Sequence, residues 1–138
     1  MDKINTDHLE KCILTLEKSL MFLKQSEADS IEYEMFRNSL VKGFEITLEQ
    51  SGKLLKKKIT AYFSSKKEVD RLTFKDIFRY ANKHDLMDDE AVNRWFSYRD
   101  NRNSTAHDYG EAFAEETLTL TETLIQDAKN LKGMIEDD

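Results

Sequence analysis

The sequence predicts an all-α fold, and three observations carry that expectation. Proline is absent and glycine occurs only four times, although the tight turns between strands lean on both. Apolar residues recur at alternating steps of three and four, the period of one helix face. Hydrophobic residues make up 39% of the chain and charged residues 35%, the balance of a globular protein with a real core. With 138 residues the chain suits one domain, 1–138, closed as an up-and-down bundle of about five helices.

Helix one is expected over 7–25. Asp7 and Glu10 have capping-box spacing, and Leu9, Ile13, Leu16, Leu20 and Leu23 share one face. Asp29 or Ser30 then caps a long second helix, roughly 31–63, whose stripe runs through Tyr33, Phe36, Leu40, Phe44, Leu48, Leu55, Ile59 and Tyr62. Gly43 and Gly52 inside it admit two readings, a kink or a close helix contact. Residues 64–72 read as a polar connector. Thr73 and Asp76 repeat the capping spacing before a short third helix ending near His84. Asp88 caps a fourth helix carrying Val92, Trp95, Phe96 and Arg99, and a fifth covers 111–136. The expected core includes Leu16, Leu20, Phe36, Phe44, Leu48, Trp95, Leu120 and Leu124.

A formal net charge of −6 argues against a general nucleic-acid binder, while leaving room for a local basic groove. Lys53, Lys56, Lys57, Lys58, Lys66 and Lys67 form the one basic concentration; such a run more often marks a solvated face near a helix C-terminus than a phosphate site. Cys12 is the sole cysteine and falls beside the first apolar stripe, so a buried, reduced thiol is expected. No apolar run approaches 18 residues, and Met1 to Asn5 lack the apolar core of a signal peptide. A cytoplasmic protein without a membrane segment is the expectation. His8 and His84 have no ligand set nearby in sequence, so neither metal nor cofactor is expected.

Chemistry concentrates in Tyr98-Arg99-Asp100-Asn101-Arg102-Asn103-Ser104-Thr105-Ala106-His107-Asp108-Tyr109-Gly110. Arginine holds phosphate with two parallel hydrogen bonds, and histidine exchanges protons near neutral pH. On an unbroken helix Arg102 and His107 would sit ~140° apart. Ser104, Thr105, Asp108 and Gly110 predict that regular helix weakens there, which would let His107 turn back; a second subunit could equally supply the missing half. The alternative is purely structural, a hydrogen-bonded and salt-bridged helix end.

The run from Arg102 to Tyr109 resembles the R-N-x-x-x-H-x-Y signature of HEPN domains. It is most similar to the branch of nucleotidyltransferase substrate-binding proteins, related to the toxins of HEPN–nucleotidyltransferase toxin–antitoxin pairs. The resemblance extends over nearly the whole chain, including the Phe74-Lys75-Asp76-Ile77 helix opening and the Trp95 region. It implies a dimerising helical bundle with the motif facing an inter-subunit cleft. The partner it implies is a separate small nucleotidyltransferase encoded nearby. Active toxin members are metal-independent ribonucleases whose arginine and histidine match Arg102 and His107. Tyr109 matches a tyrosine that accepts AMP in some toxin branches, or it contacts nucleotide.

Three functions follow from these residues and this resemblance. The chain is a substrate-binding or regulatory subunit of a nucleotidyltransferase, a HEPN ribonuclease toxin held in check by that partner, or a helical interaction protein without nucleotide chemistry. It has no Gly-Ser followed by paired aspartates and is not itself a transferase. Arg102 would anchor phosphate of an RNA or nucleotide ligand, His107 would move the proton, and Asn103 would orient the pair. Arg99 and Asp100 would support them from the preceding turn.

Overall fold

The computed structural model of the chain describes residues 3–105 and 111–137, with side chains at all of these except 102–105 and 111–114. Six α-helices and no strand occur among the described residues: α1 (Asp7–Gln25), α2 (Ile31–Ile59), α3 (Lys66–Asp70), α4 (Phe74–Lys83), α5 (Asp89–Thr105) and α6 (Glu111–Glu136). A 3-10 turn, Thr60–Tyr62, follows α2.

Local chemistry sets most of the boundaries. Ser30, not Asp29, caps α2, its Oγ accepting from the Tyr33 N–H at 3.0 Å. Thr73 and Asp76 form both bonds of a capping box at 3.1 Å. Asp88 Oδ1 accepts from the Ala91 N–H at 2.8 Å. The capping box expected from Asp7 and Glu10 does not form. Thr6 stands at the N-cap without a side-chain bond, and Asn5 Oδ1 accepts from the Asp7 N–H at 2.9 Å. Asp7 is therefore already helical, where its charge favours the positive helix end.

The second helix stops at Ile59, four residues short of the expected end. Thr60 Oγ donates to the Lys56 carbonyl at 2.8 Å, the chain tightens, and Phe63 is extended. The expected connector contains α3, with Ser65 capping it through the Glu68 N–H at 3.4 Å and Val69 buried. Lys56 pairs with Asp70 at 2.9 Å, which ties α3 back to α2. Five residues are too few to show a helical period, which is why the stripe did not reveal this element. The helical assignment of α2 is continuous through Gly43 and Gly52. A Cβ at Gly52 would come within 2.9 Å of Phe74 Cε2, so this glycine marks close approach of α4.

Helix α1 runs antiparallel to both α2 and α6, whereas α4 runs parallel to α2, from Phe74 beside Gly52 to His84 beside Tyr62. Ser19 and Ser39 share a hydroxyl hydrogen bond of 2.9 Å, setting α1 antiparallel to α2. Lys129 to Glu17, at 3.1 Å, and Thr6 to Glu136, also at 3.1 Å, set α6 antiparallel to α1. Lys24 pairs with Glu122 along the same seam. Lys58 Nζ donates to the Asp137 carbonyl at 2.9 Å and so covers the free end of α6. Two lysines of the basic run are thus structural.

The core joins Leu9, Leu16, Leu40, Phe44, Leu48, Leu55, Phe78, Trp95, Tyr98 and Leu124, all fully or nearly fully buried. Phe36 and Leu120, expected in that core, are only half-buried. Phe36 stacks at 5.3 Å on Phe22, and Phe22 is itself a surface residue, 41% exposed. Cys12 is buried as expected, and burial pushes its thiol above the usual range. His8 is exposed on the first turn.

Leu16→Ala should lower unfolding free energy by ~2–5 kcal/mol in chemical denaturation, because Leu16 has no exposed surface. Leu120→Ala should cost clearly less. Gly133→Ala should stabilise by up to ~1 kcal/mol, since nothing lies within 4 Å of its would-be Cβ. Gly52→Ala should destabilise, because the Phe74 ring must move. Equal midpoints for the two glycine variants would contradict the packing described.

Candidate functional site

The motif begins on the C-terminal half of α5, and that half is held from two sides. Toward α6, Arg94 and Tyr98 lie one turn apart and meet one carboxylate. Asp127, 5% exposed, accepts from Arg94 Nε at 2.8 Å and Nη2 at 2.9 Å, and from the Tyr98 hydroxyl at 2.5 Å. Charge-assisted and bidentate bonds of this kind are the strong ones. Without them a buried carboxylate would face a desolvation cost of several kcal/mol. The hydrogen bond to Asp127 raises the Arg94 pKa. Burial raises that of Tyr98 well above the tyrosine range, and the bond to Asp127 adds to it.

One turn further, Asn101 is 4% exposed. Its Nδ2 donates to Thr117 Oγ at 3.1 Å, across the two helices that flank residues 106–110. Its Oδ1 is buried and has no hydrogen-bond partner. Toward α4, the Arg99 guanidinium lies 5.0 Å over the Phe74 ring, and Asp100 pairs with Lys75 at 2.8 Å. Residues 98 to 101 are therefore fixed in rotation about the helix axis by bonds to both neighbours.

The expected site residues divide accordingly. Arg99 and Asp100 are placed on the α4 side of α5. Arg102 and Asn103 belong to the helical backbone of α5, which continues through Ser104 and Thr105, so helix persists into the first residues where weakening was expected. The side chains of Arg102 and Asn103, and His107 and Tyr109 entirely, lie outside the described residues. Trp95 is core, as expected, and stacks at 4.9 Å on Phe78.

Asp127 and Asn101 escaped the sequence reading. The signal was there for Asp127: it interrupts the 4-3-4-3 series Leu120, Leu124, Asp127, Leu131, Met134, a carboxylate at a core position. Among the described residues no group of three or more histidine, cysteine or acidic side chains could hold a metal ion, and no helix is long and apolar enough to cross a membrane.

A helical bundle that carries an R-N-x-x-x-H-x-Y run where its fifth helix ends defines a HEPN-like protein. The sequence matches the family described as nucleotidyltransferase substrate binding protein like over residues 4–137, and the chain belongs to that family. A curated relative from Haemophilus influenzae, named Probable ribonuclease HepT, is 27% identical over 114 residues, 80% of this chain and 77% of the relative. A solved protein of Haemophilus influenzae, described as revealing the fold of a substrate binding domain of a nucleotidyltransferase, has a TM-score of 0.80 at 22% identity, covering 95% of this chain and 98% of that one. The tri-AMPylated Shewanella oneidensis HEPN toxin in complex with MNT antitoxin has a TM-score of 0.66 at 14% identity, covering 98% and 100%. At these identities the solved structures establish the fold.

The raised Tyr98 pKa has a direct consequence. The protonated phenol is favoured in the folded state, so its contribution is complete below the unfolded tyrosine pKa of ~10 and declines as pH rises above it toward the higher folded value. Wild-type protein should therefore lose stability more steeply than Tyr98→Phe between about pH 10 and 12. Thermal unfolding of both across that range checks this; parallel curves would contradict it.

Proposed function

We propose that this chain is the substrate-binding and regulatory HEPN subunit of a small nucleotidyltransferase. The family match over residues 4–137 carries this reading. The likeness to a HEPN toxin in complex with MNT antitoxin supports a nucleotidyltransferase as the partner. The chain acts in the cytoplasm as one HEPN-like domain and as a homodimer, so that two motifs share one cleft. Arg102 anchors phosphate, His107 exchanges the proton, and Asn103 orients both. Arg99 and Asp100 set the turn before them. Tyr109 contacts the nucleotide or accepts AMP, a role supported by the likeness to a toxin described as tri-AMPylated.

A second reading, a metal-independent endoribonuclease neutralised by that partner, is favoured by the relative named Probable ribonuclease HepT. In it His107 handles the proton of a ribose 2′-hydroxyl or of the leaving group, and Arg102 offsets charge on the scissile phosphate.

Co-expression with the nucleotidyltransferase encoded beside it tests the first reading. The two should co-purify, and Arg102→Ala should weaken the complex or its nucleotide binding while the unfolding midpoint of the isolated chain stays unchanged. Unaltered partner and nucleotide affinity would return Arg102 to a structural role. Expression of the chain alone separates the second reading. Growth arrest by the parent chain, absent in Arg102→Ala and His107→Ala, would select the ribonuclease. Its RNA cleavage should persist in chelator.

A further inference from the structure

The turn between α1 and α2 carries an apolar surface that the bundle leaves uncovered. Ile31 is 74% exposed, Met35 62% and Phe22 41%. Ile31 and Met35 stand one turn apart on α2, so their side chains lie on one face. Phe22 of α1 stacks on Phe36 at 5.3 Å, and the two rings line an open cleft of about 370 Å³ at the joined helix ends. Single exposed apolar residues are ordinary on a protein surface. Several grouped at one end, next to a cleft and rimmed by polar residues, mark an interaction site.

The rim decides the sign of what the cleft takes. Glu27 and Glu32 line it with the two rings, and Asp29 and Glu34 stand beside them in sequence. All four carboxylates are exposed, and none makes an ion pair among the described residues. The positive end of α2 offsets part of the charge of Glu32 and Glu34 in its first turn, whereas Glu27 and Asp29 precede the helix. The nearest cations along the chain are Lys24 and Arg37. Lys24 is taken by Glu122 of α6, which brings a further carboxylate to this end. Lys18 and Lys42 lie farther along the two helices, away from the turn, and Lys42 pairs with Glu45 at 4.0 Å.

An apolar surface with unpaired carboxylates at its rim fits a basic amphipathic helix. Its aliphatic side chains would cover Ile31, Met35 and Phe22. A lysine or arginine would enter the cleft, its stem along the two rings and its charge between the aromatic faces and Glu27 and Glu32. A second copy of this chain is a poor occupant, because two-fold pairing sets the patch against itself and brings like carboxylates together. Anionic lipid is repelled for the same reason.

We propose that the α1–α2 turn is a docking site for a basic amphipathic helix of a protein partner, with apolar contact on Ile31, Met35 and Phe22 and a lysine or arginine held in the cleft by Glu27 and Glu32. The site is built from α1 and α2, not from the α5 motif. It goes beyond the reading of the chain as a nucleotidyltransferase subunit, and its failure would leave that reading untouched.

The test is fluorescence anisotropy of a labelled amphipathic peptide of about fourteen leucines and lysines, a helix of about 20 Å, titrated with the full chain. A leucine–glutamate peptide of the same pattern is the second arm. The lysine peptide should bind with an affinity that falls as salt rises, and the glutamate peptide should not bind. Ile31→Ser with Met35→Ser should weaken binding roughly tenfold or more. Glu27→Gln with Glu32→Gln should weaken it roughly three- to tenfold. Both double variants should keep the parent unfolding midpoint, because all four side chains are exposed. Glu10→Gln with Glu90→Gln, the same charge change at exposed positions elsewhere, should leave binding unchanged. Equal losses in the two glutamate double variants would reduce the effect to general charge and overturn the proposal. Binding of both peptides alike, or of neither, would overturn it too. If Ile31→Ser with Met35→Ser instead turns a sedimenting dimer into a monomer and leaves peptide binding unchanged, the patch is covered by a second copy and the proposal fails.

Discussion

Asp127 is the constraint on which the motif depends. A carboxylate at 5% exposure is costly unless its oxygens are satisfied, and the fold satisfies them with two residues from α5. Arg94 supplies two parallel bonds and Tyr98 a third. Any rotation or slide of α5 along α6 would break all three together. Buried polar networks of this kind specify one arrangement where apolar packing alone tolerates several. Asn101 and Thr117 extend the same seam to the ends of the helices that flank residues 106–110. The register of Arg102 on α5 is thus inherited from a side chain 25 positions later in the sequence.

The other elements serve this arrangement. The α1–α2 pair and α6 form the long frame, locked at one end by Thr6 with Glu136 and Lys58 with the Asp137 carbonyl, and toward the other by Lys24 with Glu122. Helix α4 is short, but Gly52 lets its first residue, Phe74, come close to α2. That seats Phe74 under Arg99 and Lys75 beside Asp100. The consequence is that α5 has a buried side that sets its position and an opposite side rich in cations and aromatic rings. A substrate-binding subunit needs that division: rigidity behind, chemistry in front.

Much of this was legible from residues alone. Five helices were visible from their apolar stripes, and for the short one Thr73 with Asp76 marked a start that the backbone honours. The Arg102–Tyr109 run stood out because it gathers unlike functional groups in eight positions, but its side chains lie outside the described residues. What escaped was of two kinds. Helix α3 is too short for periodicity, although Ser65 and Glu68 carry the capping spacing that announces it. Asp127 and Asn101 are single polar residues whose meaning comes from burial, and burial depends on which helix packs opposite. Phe36 and Leu120 fail in the converse way. Their spacing is right for a core, but a stripe names a face without saying how far along the helix its neighbours cover it.

The central proposal is that the C-terminal half of α5 is where this protein meets a nucleotidyltransferase partner. Backbone amide NMR of the labelled chain, titrated with a co-purifying nucleotidyltransferase, tests that directly. The account predicts that shifts concentrate on Asp100 to Asn103. Shifts confined to the α1–α2 end, around the exposed Phe22 and Met35, with α5 unmoved, would contradict it.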